Sequence, residues 1–195
     1  MKPTKLIFLA ALAIAGAVQA SGGGTITGKV EATPAKYLKE SVVYLKEVPG
    51  PHTAKTVTMD QKGMEFRPHL LAITAGDTVK FLNNDGVDHN VNSPDGETYN
   101  LGMFPKGESK DYKFEKAGNY TQLCSAHPEM LAYVFVGQNP YSAVVDKKGH
   151  YTIKNVPPGN YQLAVWNGNS KLKAEEQAVV VAAGKTVKGD FALAK

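Results

Sequence analysis

The sequence predicts an all-β chain in which one small β-sandwich is inserted into another. Beyond residue 21 hydrophobic positions recur mostly with period two, and Gly, Pro, Asn or Asp interrupt them about every eight to twelve residues. No long helical stripe appears. The head and the tail of the chain are each too poor in strands to stand alone, and this divides the molecule.

Residues 1–20 carry Lys2 and Lys5, an apolar run over 6–18, and then Val18-Gln19-Ala20. That is the layout of a secretory signal peptide. An apolar run this short does not span a bilayer comfortably, so a periplasmic or secreted protein of residues 21–195, without a membrane span, is expected. The head, residues 21–54, offers two strands, over 25–30 and 41–48. In the middle block Gly76-Asp77 reads as a turn before a strand over 78–82. Lys110-Asp111-Tyr112-Lys113-Phe114-Glu115 alternates, so Tyr112 and Phe114 should face a core while Asp111, Lys113 and Glu115 face water. Strands are expected over 120–123 and 131–136, the second apolar enough to be buried.

In the tail, strands over 151–153 and 161–166 flank Val156-Pro157-Pro158-Gly159. Pro-Gly supplies the fixed φ and then the positive φ of a type II turn, which implies a hairpin. Two head strands cannot fold alone, and a tail of 58 residues is marginal. Joined, residues 21–54 and 138–195 make a normal small sandwich and leave residues 55–137 as an inserted domain. The alternative is two consecutive domains, with the head adding strands to the first.

The whole chain has 195 residues, 43% hydrophobic and 21% charged, with 22 basic and 18 acidic residues. Loss of Lys2 and Lys5 with the leader leaves 20 basic residues against 18 acidic, about +2. With one arginine, Arg67, and no Lys/Arg block, nucleic acid is not an expected partner. Cys124 is the only cysteine. Exported cysteines usually pair, and a lone one cannot do so within its chain, so something else must occupy it.

Cys124-Ser125-Ala126-His127-Pro128-Glu129-Met130 reads C-x2-H-x2-M between two strands. With five His and five Met, coincidence would place both at these spacings on the order of once in 1,500. Upstream, His89 in Asp88-His89-Asn90-Val91 supplies a second imidazole. Two His, a thiolate and a weak thioether are the ligand set of a blue-copper electron-transfer site, with Met130 as the long axial ligand. The expected cofactor is one copper per chain. His69 reads as a strand residue with an exposed ring, His52 and His150 as solvated turn residues, and Met64 and Met103 as packing residues. Leu101-Gly102-Met103-Phe104-Pro105 suits an apolar rim near the copper or an ordinary core turn. Asp85, Asp88, Asp95 and Glu97 surround His89 in sequence and read as solvated loop charges, or as a docking surface for a basic partner.

With Met64-Glu65-Phe66-Arg67-Pro68, Gly76-Asp77-Thr78-Val79, His89-Asn90-Val91 and Gly118-Asn119-Tyr120 added to the C-x2-H-x2-M loop, residues 56–136 resemble the cupredoxins, specifically those with a short amicyanin-like ligand loop. The resemblance implies a Greek-key β-sandwich. It also implies that Asn90 pins the ligand loop by hydrogen bonding, and that the Asp88 carbonyl is a distant axial neighbour. Leu123 departs from the aromatic that many relatives carry before the cysteine. Head and tail, through Gly28-Lys29-Val30, Gly149-His150-Tyr151 and the run from Val156 to Leu163, resemble a carboxypeptidase-regulatory or transthyretin-like sandwich. The combination resembles exported bacterial plastocyanin-like proteins, some labelled methylamine-utilisation proteins. These resemblances imply an electron carrier rather than an enzyme, working between redox proteins such as a c-type cytochrome and a dehydrogenase or oxidase. Copper delivery or storage is the alternative. A multicopper oxidase would need H-x-H pairs, and the five His form none.

Overall fold

The computed structural model describes residues 22–48 and 52–195. The expected signal peptide, residues 1–20, lies outside them. The head forms β1 (Gly24–Ala32), a short 3-10 helix (Ala35–Glu40) and β2 (Ser41–Leu45). The middle block forms β3 (Thr56–Gln61), β4 (Phe66–Arg67), β5 (Leu70–Thr74), β6 (Thr78–Asn83), β7 (His89–Ser93), β8 (Tyr99–Phe104), β9 (Ser109–Lys113), β10 (Gly118–Leu123) and β11 (Leu131–Gly137). The tail adds β12 (Ser142–Val144), β13 (His150–Val156), β14 (Gly159–Asn167), β15 (Gln177–Val181), β16 (Thr186–Lys188) and β17 (Phe191–Leu193). The described chain is all-β but for that one 3-10 segment. Among the described residues no helix is long and apolar enough to cross a membrane.

Pairing sorts the strands into two sandwiches. β1 pairs with β13, β16 and β17, and β2 lies between β12 and β14, which also pairs with β15. The middle strands pair only among themselves, in a sheet ordered β5-β11-β10-β7-β8 and a second ordered β4-β3-β6-β9. Each pair of sheets encloses its own core. Ile26, Val43, Leu45, Ile153 and Leu163 belong to one, and Met59, Phe81, Phe114, Tyr120 and Val134 to the other.

Period two explains how the sandwiches join. Along β11, Ala132, Val134 and Val136 enter the middle core, while Tyr133 and Phe135 point the other way into a third cluster with Leu70 and Ala72. Along β2, Val43 and Leu45 enter the outer core, while Val42 and Tyr44 meet that same third cluster, joined by Trp166 of β14. β2 and β11 are therefore covered on both faces and read as continuous apolar runs. Burying Val42, Leu70 and Phe135 is worth roughly 1.5–3 kcal/mol each, large beside a domain's net stability of about 5–15 kcal/mol. Tyr44 and Phe135 ring centroids lie 4.8 Å apart, and those of Tyr133 and Trp166 5.6 Å.

Three local expectations need correction. Val156 and Gly159 do not flank a hairpin: β13 pairs with β1, whereas β14 pairs with β2 and β15, so the chain crosses between sheets at Pro157-Pro158. The positive φ there, 57°, belongs to Asn155 rather than to Gly159. The strand expected over 41–48 stops at Leu45. His52 is not solvated. Its Nε2 lies 2.7 Å from Asp77 Oδ1, with the imidazole 16% exposed and the carboxylate fully buried. As expected, Phe114 is buried and Tyr112 packs on the core, with Asp111, Lys113 and Glu115 exposed.

Asp77 ties the entry of the middle block to its first turn, accepting amides of Lys55 and Thr74 at 2.9 Å each as well as the His52 ring. Burial pushes its carboxyl up, but the Thr74, His52 and Lys55 hydrogen bonds outweigh burial and hold it below its ordinary value. Asp77→Asn places an amide where three donors converge, so a loss of about 1–3 kcal/mol is expected at pH 5. The folded value lies below the unfolded one of about 3.9. The contribution is therefore complete above that range and falls away as pH drops through the folded value. Urea unfolding of both proteins at pH 5 and pH 3 should show the gap narrowing at pH 3; an unchanged gap would contradict this. Residues 52–137 expressed alone should fold, since their strands and core are self-contained. An unfolded fragment beside a folded 22–137 fragment would favour consecutive domains.

Candidate metal centre

Strand alternation carries three predicted site residues inward at one end of the middle sandwich. On β10, Tyr120 and Gln122 face the core, and Cys124 continues that face two residues on. On β11, Ala132 and Val134 face inward, and Met130 precedes them with the same parity. On β7, Val91 faces inward and so does His89, the first residue of that strand. β10 pairs with β11 through Leu123 and Leu131, and with β7 through Leu123 and Asn92. The loop between Cys124 and Met130 therefore lies beside the start of β7. Two successive turns, His127 N–H to Cys124 O at 3.3 Å and Met130 N–H to His127 O at 3.0 Å, build that loop in steps of three residues.

The resulting geometry brings three donor atoms together. Nδ1 of His89 and Nδ1 of His127 are 3.0 Å apart, and Cys124 Sγ lies 3.8 Å from the first and 3.6 Å from the second. Among the described residues these three form a group able to hold a metal ion. For bonds of about 2.0 Å to nitrogen and about 2.3 Å to sulfur, trigonal angles separate the two donors by about 3.7 Å, so the sulfur–nitrogen distances suit one shared ion. His89 is fully buried, Cys124 and Met130 nearly so, and His127 is half-buried. Met130 sits with Cys124 in the middle core. Cys124 is a free, buried cysteine, and its thiolate with two imidazoles suits copper.

An asparagine network holds the loop. The Asn90 amide lies 3.5 Å from Cys124 Sγ, and Asn90 Oδ1 accepts the Ser125 amide at 2.9 Å. Asn90 Nδ2 donates to Asn100 Oδ1 at 2.6 Å. Asn92 Nδ2 reaches Asn90 Oδ1, Leu123 O and Ser125 Oγ at 2.8–3.2 Å. Sequence reasoning misses Asn92 and Asn100, although the H-N-V-N alternation puts Asn90 and Asn92 on one side of β7. Asp88 is exposed.

Asp85 is not a free loop charge. Its Oδ2 lies 3.0 Å from His89 Nε2 and accepts the Met64 amide at 2.8 Å. Those two hydrogen bonds, Met64 first, hold its carboxyl well below the usual carboxylate range. The D-x-x-x-H spacing is the one signal of this in the sequence. Asp95 and Glu97 are also engaged, accepting the Thr121 and Glu115 amides. Met103, expected to pack, is 50% exposed on β8 opposite Asn90, and Val87 is 47% exposed. His69 is partly buried, its Nε2 3.5 Å from Glu40; His150 is exposed.

Residues 53–137 match the family model for copper binding proteins of the plastocyanin/azurin family. Residues 133–189 match the model for polysaccharide lyase family 4, domain II. A plastocyanin from Scenedesmus fuscus is 31% identical over 78 residues, 35% of this chain and 80% of that protein. An amicyanin from Paracoccus versutus is 29% identical over 87 residues, 43% of this chain and 66% of that protein. Among solved structures, a purple cupredoxin from Nitrosopumilus maritimus is 27% identical, covering 41% of this chain and 98% of that chain with a TM-score of 0.39. A copper-containing nitrite reductase from Thermus scotoductus is 29% identical, covering 43% of this chain but 22% of that chain, with a TM-score of 0.41. Through residues 53–137 this chain belongs to the plastocyanin/azurin family of copper-binding proteins.

Proposed function

We propose that the protein carries single electrons between redox partners, with one copper held by Nδ1 of His89, Sγ of Cys124, Nδ1 of His127 and, weakly, by the Met130 thioether. The observation that carries this reading is the convergence of a buried thiol and two imidazole nitrogens within 3.8 Å of one another. Copper bound there supplies a one-electron Cu(I)/Cu(II) couple. Cys124 serves as thiolate, a strong ligand in both valences, and Met130 favours the reduced one. The Asp88 carbonyl, next to His89 in the chain, would be a further oxygen near a bound ion. Asn90 and Asn92 restrain the loop, so the donors need move little when an electron passes.

His127 provides the exit. It is the least buried member of the donor set, flanked by exposed Ala126 and Pro128; exposed Val87 lies two residues before His89 and exposed Met103 opposite Asn90. An apolar rim of this kind suits close contact with a second protein, such as a c-type cytochrome or a dehydrogenase or oxidase. A periplasmic or secreted setting follows from residues 1–20 and accounts for a cysteine held by metal. The carrier is the inserted sandwich of residues 55–137. The outer one, residues 21–54 and 138–195, has its own pairing and core and serves as a scaffold, transthyretin-like by the resemblance of its sequence.

Cu(II) added to the purified protein should produce an intense visible charge-transfer band that Cys124→Ser abolishes. A colourless protein that binds only Cu(I) and yields it readily to a chelator would favour delivery or storage instead. Met130→Leu should retain copper and shift the reduction potential, because the axial ligand tunes the site more than it holds it. Complete copper loss in that variant, measured by metal analysis after desalting, would contradict the assigned role.

A further inference from the structure

The fully buried imidazole of His89 has a carboxylate behind it. Nδ1 faces Cys124 and His127, and Nε2 lies 3.0 Å from Asp85 Oδ2. An ionised carboxylate accepts and cannot donate, so the hydrogen between them sits on Nε2, which in the neutral ring leaves Nδ1 with a free lone pair. Asp85 is not a mobile surface acid. The left-handed turn at Gly63 and Met64 (φ 69° and 59°) presents the Met64 amide to the same oxygen at 2.8 Å. From the other side the Asp85 amide donates to Asn83 Oδ1 at 2.9 Å. Asn83 is fully buried and spends its own side-chain amide on Val87 O and Phe104 O, both at 2.9 Å. The segment between β6 and β7 is thereby fastened to the strand that pairs with His89, since Phe104 lies opposite it on β8.

This arrangement has an electronic consequence as well as a steric one. A carboxylate hydrogen-bonded to the far nitrogen makes an imidazole a more basic donor. Its negative charge, largely withdrawn from water (18% side-chain exposure), adds to that of the Cys124 thiolate. Both effects favour the more highly charged valence of a metal at Nδ1.

We propose that Asp85 is a positioning residue of the metal centre, fixing His89 in the tautomer that leaves Nδ1 free and biasing the centre toward the oxidised ion. The proposal rests on the copper-carrier reading. It assigns Asp85 a role distinct from the docking surface to which its charge would otherwise be attributed.

Asp85→Asn removes the charge while keeping the shape, and Asp85→Glu keeps the charge. Cu(II) and Cu(I) affinities by chelator competition, the reduction potential, and the His89 tautomer by ¹⁵N NMR of the metal-free protein should be compared across the three proteins. In Asp85→Asn, Cu(II) affinity should fall about 10–100-fold with a smaller fall for Cu(I), so the potential rises. Asp85→Glu should keep the potential closer to wild type. Equal losses for both valences with an unchanged potential, or an Nδ1–H tautomer in the wild-type protein, would overturn the proposal. Should Asp85→Asn not fold, a potential in Asp85→Glu displaced as far as that of a copper-loaded Met130→Leu control would likewise overturn it, and a wild-type potential in Asp85→Glu would support it. A wild-type protein that takes up no Cu(II) would remove the copper reading and this proposal with it.

Discussion

Strand register at one end of the middle sandwich underlies everything else in the molecule. Cys124, Met130 and His89 each extend the inward face of a strand, β10, β11 and β7, and the three strands are neighbours. A slip of one residue in any of them would turn its donor to the opposite face. Register is fixed by the residues that share the inward face, Tyr120, Gln122, Ala132, Val134 and Val91, all buried. The packing of an apolar core thus decides where a thiol, a thioether and an imidazole point, and the chemistry is placed by ordinary hydrophobic alternation.

Position alone does not hold the proposed ligand set still. Around the donors lies a shell of short polar contacts. Asn90 and Asn92 restrain the loop from β7, and Asn100 anchors Asn90 from β8. Asp85 restrains His89 from behind. Because these groups are supplied by strands or by a segment tied to them, the loop from Cys124 to Met130 has little freedom although it is a connection between strands. In the proposed carrier that stiffness is what keeps rearrangement small between the two valences. The His127 ring is half-buried and reaches the surface.

Much of this is legible in the sequence. The C-x2-H-x2-M spacing points to three of the proposed ligands, since its period of three is the step of the two turns that build the loop. Strands within 78–83, 118–123 and 131–137 are announced by alternation and by the turn residues between them. The features that escape sequence reasoning have a common cause, partners distant in the chain. Asp85 looks like one of four loop acids because nothing local announces that Met64 and His89 will both point hydrogens at it. His52 looks solvated because Asp77 lies 25 residues away. Turn chemistry makes Val156-Pro157-Pro158-Gly159 look like a hairpin, but the strands on either side find partners in different sheets, and burial in two layers overrides the local preference. Residue type alone assigns Met103 to packing, yet the strand parity that buries Phe104 leaves Met103 in solvent.

The two sandwiches are not strung loosely together. Val42 and Tyr44 on one side and Leu70, Tyr133 and Phe135 on the other make a shared apolar seam. His127 is half-buried between exposed Ala126 and Pro128, so part of its ring stays at the surface in the joined molecule. The proposed chemistry stands on a single ion bound between Cys124 and the two imidazoles. X-ray absorption spectroscopy at the copper edge of the copper-loaded protein reads those bonds themselves. One short copper–sulfur distance and two copper–nitrogen distances are expected, the sulfur contribution disappearing in Cys124→Ser. A copper surrounded only by nitrogen and oxygen, or by several sulfurs at equal distance, would contradict a shared thiolate–imidazole site.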